Sequence, residues 1–273
     1  MERPCTTSSD ATCPSLAAKR PNPAQFPLKE SHPRGSGAAP SGTVRAVVRR
    51  LLSSNEATED LAEPATEPAE VALSIDRQVI QLFALVEEAV AGATHALLTG
   101  DREAARVLVA NDIALDELYR EIEERVHARV MAGGMSANRT RWLLAVLSML
   151  PELERSGDLA EHVAQRATRN LPAEMPARVR GFIERMGEIA CLMWAMAADA
   201  YADRAAGAEK IDLLDDEMDD LHVQLIADIA GGSVPVPVAI ELALVGRFYE
   251  RLGDHAVNIT RRVPARLRSE AIG

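Results

Sequence analysis

The sequence predicts an all-α protein built as two tandem antiparallel three-helix bundles. Three observations carry that prediction. Apolar residues recur at helical spacing through six long stretches after about residue 71, and no alternating run competes for a strand. Ala, Leu, Val, Glu and Arg dominate those stretches and aromatic content is only 3%, the composition of a helical bundle. Two unusual pentapeptides, Glu154-Arg155-Ser156-Gly157-Asp158 and Glu250-Arg251-Leu252-Gly253-Asp254, lie 96 positions apart, which marks a duplicated unit.

The elements follow in order. Residues 1–70 are expected to form a disordered arm: nine of the 15 prolines fall before residue 69, and such a segment buries too little apolar surface to offset its ordering entropy. Within it, 44–52 is a short basic stretch carrying Arg45, Arg49 and Arg50, expected as a transient helix. The first bundle is expected over 71–171 and the second over 172–273. The first helix spans about 71–98, where Thr99-Gly100-Asp101 supplies a stop and a new N-cap. The second runs over about 101–131 on a stripe of Leu115, Leu118, Ile122, Val126 and Val130, and Gly133-Gly134 ends it. Ser136 or Asn138 caps the third, which carries the first pentapeptide to about residue 169. Pro172 and Pro176 mark the joint between the halves. A fourth helix covers about 175–201. The fifth covers 205–229, with Ile211, Leu214, Met218, Leu221 and Leu225 on one stripe. After a turn over 231–237, the sixth covers 237–266 on Leu242, Val245, Tyr249, Leu252, Ala256 and Ile259.

A net charge of −11 and few aromatic residues argue against nucleic acid as a partner. Cys5, Cys13 and Cys191 form no metal-ligand spacing, and their odd number fits a reducing cytoplasm. No apolar h-region opens the chain, and the richest apolar run, 189–198, is too short to span a bilayer.

Four carboxylate pairs sit at i,i+4 and so share helix faces: Asp112/Asp116, Glu154/Asp158, Asp215/Asp219 and Glu250/Asp254. The first and third pairs precede the pentapeptides at matching places in the two halves. On a helical wheel Glu250 and Asp254 lie opposite the core stripe of their helix and face outward. Acidic runs are usually solvated faces. Here the recurrence in both halves, and a glycine inside each pentapeptide, add a functional reading. Helix-interior glycine costs about 1 kcal/mol against alanine, so it is expected to permit close helix approach or access for a ligand. An oxygen-only ligand set would favour Mg²⁺, Mn²⁺, Ca²⁺ or oxidised iron. No nucleophile elbow or glycine-rich phosphate loop is visible, so no catalysis is expected.

The order Asp-x-x-x-Asp-Glu-Leu or Asp-Asp-Leu, then Glu-Arg-x-Gly-Asp, twice over about 71–264, resembles the PhoU family of phosphate transport regulators. Arg141 and Pro237, each thirteen residues before a pentapeptide, also match positions where the family commonly has Arg and Pro. The resemblance implies two three-helix bundles related by pseudo-symmetry, and a multinuclear metal (iron, manganese or magnesium) on the acidic motifs. Asp112, Asp116, Glu154 and Asp158 would form one site, and Asp215, Asp219, Glu250 and Asp254 the other. It further implies a non-enzymatic negative regulator. Such a homodimer would act at the cytoplasmic face of the membrane, between the ATPase subunit of the phosphate ABC transporter and the phosphate-sensing histidine kinase. The acidic balance argues against direct binding of phosphate without a metal bridge. The first half departs from the family pattern at Ser156, where an aliphatic residue is usual, at Pro151 inside the third helix, and at His162, which stands in the place of Asn258.

Three alternatives remain open at this point. A regulator of another ion transporter would carry the same motifs. A carboxylate-bridged di-iron enzyme needs Glu-x-x-His on two helices; only Glu124/His127 has that motif, with Asp219/His222 a loose echo. A structural scaffold would leave the carboxylate pairs dispersed.

Overall fold

A computed structural model of the chain describes residues 67–169, 171–202, 208–262, 268 and 271–272. The expectations for the arm before residue 67, the basic stretch 44–52, Cys5 and Cys13 lie outside these residues. Helix α1 (Glu67–Thr99) begins a turn earlier than the apolar pattern suggests. It is followed by α2 (Arg102–Ala132) and α3 (Ala137–Ala167). The Pro172/Pro176 joint holds a single turn, α4 (Leu171–Glu174), before α5 (Ala177–Tyr201), α6 (Ala208–Ala230) and α7 (Val236–Arg262).

The local chemistry that sets the boundaries is the chemistry written in the sequence. Asp101 accepts from the backbone N–H groups of Glu103 (3.1 Å) and Ala104 (3.0 Å), satisfying two orphan donors at the start of α2. Gly133 at φ +66° closes α2, in a backbone region that costs glycine nothing. Of the two capping candidates for α3, Ser136 is the one used, accepting from Arg139 N at 3.3 Å. Pro151 lies inside α3 without ending it. It lacks the N–H that an uninterrupted helix would direct at the Leu147 carbonyl; the next carbonyl, that of Ser148, also accepts from Arg262 of the other repeat at 3.1 Å.

Helices α1–α3 pack on one another as one bundle and α5–α7 as the second. The two share a seam in which α1 lies against α5 and α3 against α7. Core side chains run unbroken through this seam: Ile75, Val79, Leu82 and Val86 of α1, and Val179, Ile183 and Met186 of α5, are all fully buried. A Cβ added at Gly187 of α5 would lie 2.3 Å from Thr94 Cγ2 of α1, and Thr94 hydrogen-bonds the buried Tyr249 hydroxyl of α7 at 2.8 Å. By length and composition α1 is apolar enough to cross a membrane; in this fold its apolar side chains build the core. Cys191 of α5 is half-buried, and burial pushes its thiol up to about 12, so it is a poor nucleophile at neutral pH.

Candidate functional site

The two pentapeptide glycines explain why the acidic motifs meet. At Gly157 an added Cβ would stand 2.7 Å from Leu115 Cδ1 and 3.3 Å from Asp112 Oδ1, so the missing side chain lets α3 close onto the acidic turn of α2. The second repeat does the same, with Gly253 placing α7 so that a Cβ would lie 3.3 Å from Asp215 Oδ1 and from Met193 Cε. In the first hairpin all four predicted carboxylates share one field. Burial pushes the Asp112 carboxyl up to about 6, and Glu161, Asp158, Asp116 and Glu154 add to the effect. Glu154 is raised by burial and then by Asp158 and Asp116. In the second hairpin burial pushes Asp215 up to about 6, with Asp219 and Asp254 adding to it.

These groups do not converge as ligands. Among the described residues no set of three or more His, Cys, Asp and Glu side chains is arranged to hold a metal ion, which overturns the expected multinuclear metal on the acidic motifs. The reason is geometric. Carboxylates at i,i+4 on two packed helices run as parallel tracks, and two of them are turned to cations of their own helix. Asp116 takes Arg120 at 3.2 Å, and Glu250 pairs with Arg247. Glu250 is accordingly half-buried rather than outward, while Asp254 is exposed as the wheel predicts. The di-iron alternative meets the same obstacle. Glu124 and His127 are both exposed, and His222 lies against Gly246, 3.1 Å from where its Cβ would be.

Where the two repeats meet, the structure holds a set of polar groups of which the sequence marked only Ser156, as a departure from the family pattern. Along the seam α3 and α7 run antiparallel, and the 96-residue offset maps each contact onto its mirror. Ser156 Oγ lies 2.9 Å from His255 Nδ1, and His255 Nε2 lies 3.5 Å from Glu152 Oε2; all three residues are buried. Arg262 reaches the other oxygen of Glu152 at 3.1 Å. The mirror positions are apolar: Leu252 for Ser156, Leu159 for His255 and Phe248 for Glu152, with Arg166 set over the Phe248 ring at 4.7 Å where Arg262 meets Glu152. Burial pushes His255 down to about 4, Arg251 and Arg155 push the same way, and Asp254 opposes them. The ring is therefore neutral at pH 7, and Glu152 has its charge met by Arg262 rather than by an imidazolium.

A second polar cluster ties the chain beyond α7 to the first bundle. Arg268 holds the buried Asp76 of α1 with two bonds of 2.6 Å, and the Tyr201 hydroxyl of α5 donates to the same carboxylate at 3.0 Å. Arg139 of α3 donates to the carbonyl of Ala271 at 3.0 Å. No periodicity announces this cluster. An aspartate on an otherwise apolar face of the first helix was the available signal.

Comparison with known proteins points one way. A family profile described as the PhoU domain matches residues 79–167 and 183–263, one match in each repeat. The chain is 31% identical over 175 residues to the phosphate-specific transport system accessory protein PhoU homolog 2 of Mycobacterium tuberculosis, covering 63% of this chain and 82% of that protein. It is 26% identical over 194 residues to the PhoU homolog of Rhizobium meliloti, covering 69% and 82%. Among solved structures, PhoU from Pseudomonas aeruginosa superposes with a TM-score of 0.65 at 24% identity, over 71% of this chain and 95% of that one. The phosphate transport system regulatory protein PhoU from Streptococcus pneumoniae gives 0.61 at 21% identity, over 70% and 92%. These two likenesses establish the fold: six long helices in two three-helix bundles.

Proposed function

The chain belongs to the PhoU family, and from that premise we propose that it regulates phosphate transport as a non-enzymatic adaptor. In this reading it acts between the ATPase subunit of a phosphate ABC transporter and a phosphate-sensing histidine kinase. It holds phosphate-starvation signalling off when phosphate is ample. The reading rests on one observation above the rest: the family profile matches both repeats, and each match spans an acidic hairpin closed by its pentapeptide glycine. Residues 71–171 and 172–273 serve as the two structural units, and the molecule works as a homodimer held at the cytoplasmic face of the membrane through its partners. The carboxylates of the two hairpins form the electrostatic part of the partner-facing surface. Asp219 and Asp254 are its most solvent-open members, suited to arginine or lysine on a partner.

The test is alkaline phosphatase activity in phosphate-replete cells. High activity on deletion of the gene, silenced again by the intact gene, supports the reading. Restoration with Glu250→Ala and Asp254→Ala together then reports whether the second acidic hairpin carries the contact. Activity unchanged by deletion, in a strain with no second gene of this family, refutes it.

A further inference from the structure

The two repeats diverge inside their hairpins. Buried positions of α1 and α5 correspond at an offset of 104, as in Val79 with Ile183, Val86 with Ala190 and Val90 with Trp194. By that offset Ala89 stands where the second repeat has Met193. Met193 is fully buried and covers the pentapeptide glycine of its hairpin, its Cε lying 3.3 Å from where a Gly253 Cβ would be. An alanine side chain stops at Cβ and reaches no such distance. The first hairpin accordingly keeps a cleft of about 100 Å³, lined by Ala89, Leu115, Gly157 and Ala160 among others.

Charge follows the same division. Glu88, Asp112 and Glu161 also line the cleft. Glu88 stands where the second repeat has Leu192, and Glu161, by the 96-residue offset of the pentapeptides, where it has Val257. Among the described residues no basic side chain lines the cleft, and the charged groups that act on Asp112 are all acidic. The same turns of α2 expose Val107 and Ile113, where α6 carries Lys210 and Asp216. The first hairpin therefore offers an apolar slot with an anionic rim, while the equivalent slot of the second is filled from within.

We propose that this slot is a docking site for residues 44–52 of the same chain, which precede the described helices. At helical spacing Val44, Val47, Val48, Leu51 and Leu52 share one face, and Arg45 and Arg50 border that face on either side. The segment matches the slot twice over. Its aliphatic side chains suit the place that Met193 fills in the other repeat, and its guanidinium groups suit the carboxylates of the rim. Reach permits the contact. Fully extended, the stretch 53–66 spans about 50 Å, and Ala89 lies about 33 Å along α1 from Glu67. That stretch is itself acidic, with Glu56, Glu59, Asp60 and Glu63, so it also attracts the arginines but has no slot for the aliphatic face. A seated segment closes the first hairpin to other cations and leaves the second open, an autoinhibitory contact carried by the chain itself. Docking does not depend on the adaptor reading, and its test uses no regulatory readout.

Hydrogen exchange of the full chain, read by mass spectrometry on peptides within 44–52 and 107–115, tests it. In the parent, 44–52 is expected to exchange at least tenfold more slowly than the rate its sequence alone sets. Ala89→Met puts the second repeat's residue into the slot and leaves 44–52 untouched, so it should abolish that protection with a Tm no lower than the parent's. If its Tm falls, Glu88→Lys at an exposed position decides instead, and a loss of protection of at least threefold supports the contact. Protection that is the same at protein concentrations differing tenfold assigns the segment to its own chain. Exchange of 44–52 at the sequence-set rate in the parent overturns the proposal, and so does protection within twofold of the parent in the deciding variant, the result expected if the arginines pair only with 53–66. Protection of either stretch that disappears on dilution gives the slot to a second copy and overturns the intrachain occupant.

Discussion

Replacing Ser156 by Ala and His255 by Leu, singly and together, tests whether the polar half of the seam is a coupled unit. Whichever ring nitrogen carries the proton, Ser156 is the partner at 2.9 Å of His255 Nδ1 on a ring that is only 4% exposed. Ser156→Ala strips that partner and leaves a buried polar atom bare, a loss of about 1–3 kcal/mol. His255→Leu puts at this position the residue found at its mirror, Leu159, and leaves the Ser156 hydroxyl on the Glu152 carbonyl at 2.6 Å. Its cost is therefore expected to be the smaller of the two. Once the ring is gone, removing the serine hydroxyl costs less, so the double variant is more stable than the sum of the singles predicts, by about 1–2 kcal/mol. Urea denaturation followed by helical circular dichroism at neutral pH, with constant m-values, measures each free energy. A coupling below about 0.5 kcal/mol would show that the two side chains are merely neighbours and refute the argument.

Other consequences are equally direct. Gly157→Ala is expected to destabilise the protein by about 1–2 kcal/mol, overpacking against the buried Leu115 exceeding the gain in helix propensity; Gly253→Ala, with its nearest contacts at 3.3 Å, should cost less, and equal Tm values would contradict this ranking. Arg268→Ala strands the buried Asp76 and is expected to cost about 3 kcal/mol, most of which Asp76→Asn should recover in the double variant; a Tm within a degree of the parent would count against the clamp. The acidic hairpins set a pH dependence. Asp112 and Asp215 rise from 3.8 to about 6 in the fold, so the folded state binds more protons across that window and they reduce stability as pH rises through it. His255, lowered from 6.5 to about 4, acts with the opposite sign, its contribution being lost as pH falls. The Asp112→Asn/Asp215→Asn variant should therefore gain stability relative to the parent at pH 7 and rise more steeply with pH between about 4 and 6.5; identical profiles would exclude these assignments.

How much of this was legible in the sequence depended on the length scale of the physics involved. Helix existence and the caps at Asp101 and the Gly133 turn are local, and they were read correctly because the periodicity and the capping chemistry lie within a few residues. The pentapeptide glycine was identified as a point of close approach, although which atoms it admits, Leu115 and Asp112, needed the fold. The metal expectation failed at a different scale. Spacing puts two carboxylates on one face, but whether four on two helices converge depends on the crossing of those helices and on which arginines reach them first. Asp76, Ser156 and His255 were invisible as a set, because each is explained by a partner 99 to 192 residues away in the chain.

The shared seam also bears on how the chain is made. Helix α1 emerges from the ribosome before α5, yet it is buried in part by that helix, whose first residue is Ala177. Until then one flank of a helix apolar enough to cross a membrane has no cover, and the first repeat cannot reach its final packing alone. Synthesis at about 5–20 residues per second makes that interval several seconds long. The nascent first half is therefore an intermediate with a long-lived sticky surface, the kind of species that chaperones hold and that slow expression or truncation would send into aggregates.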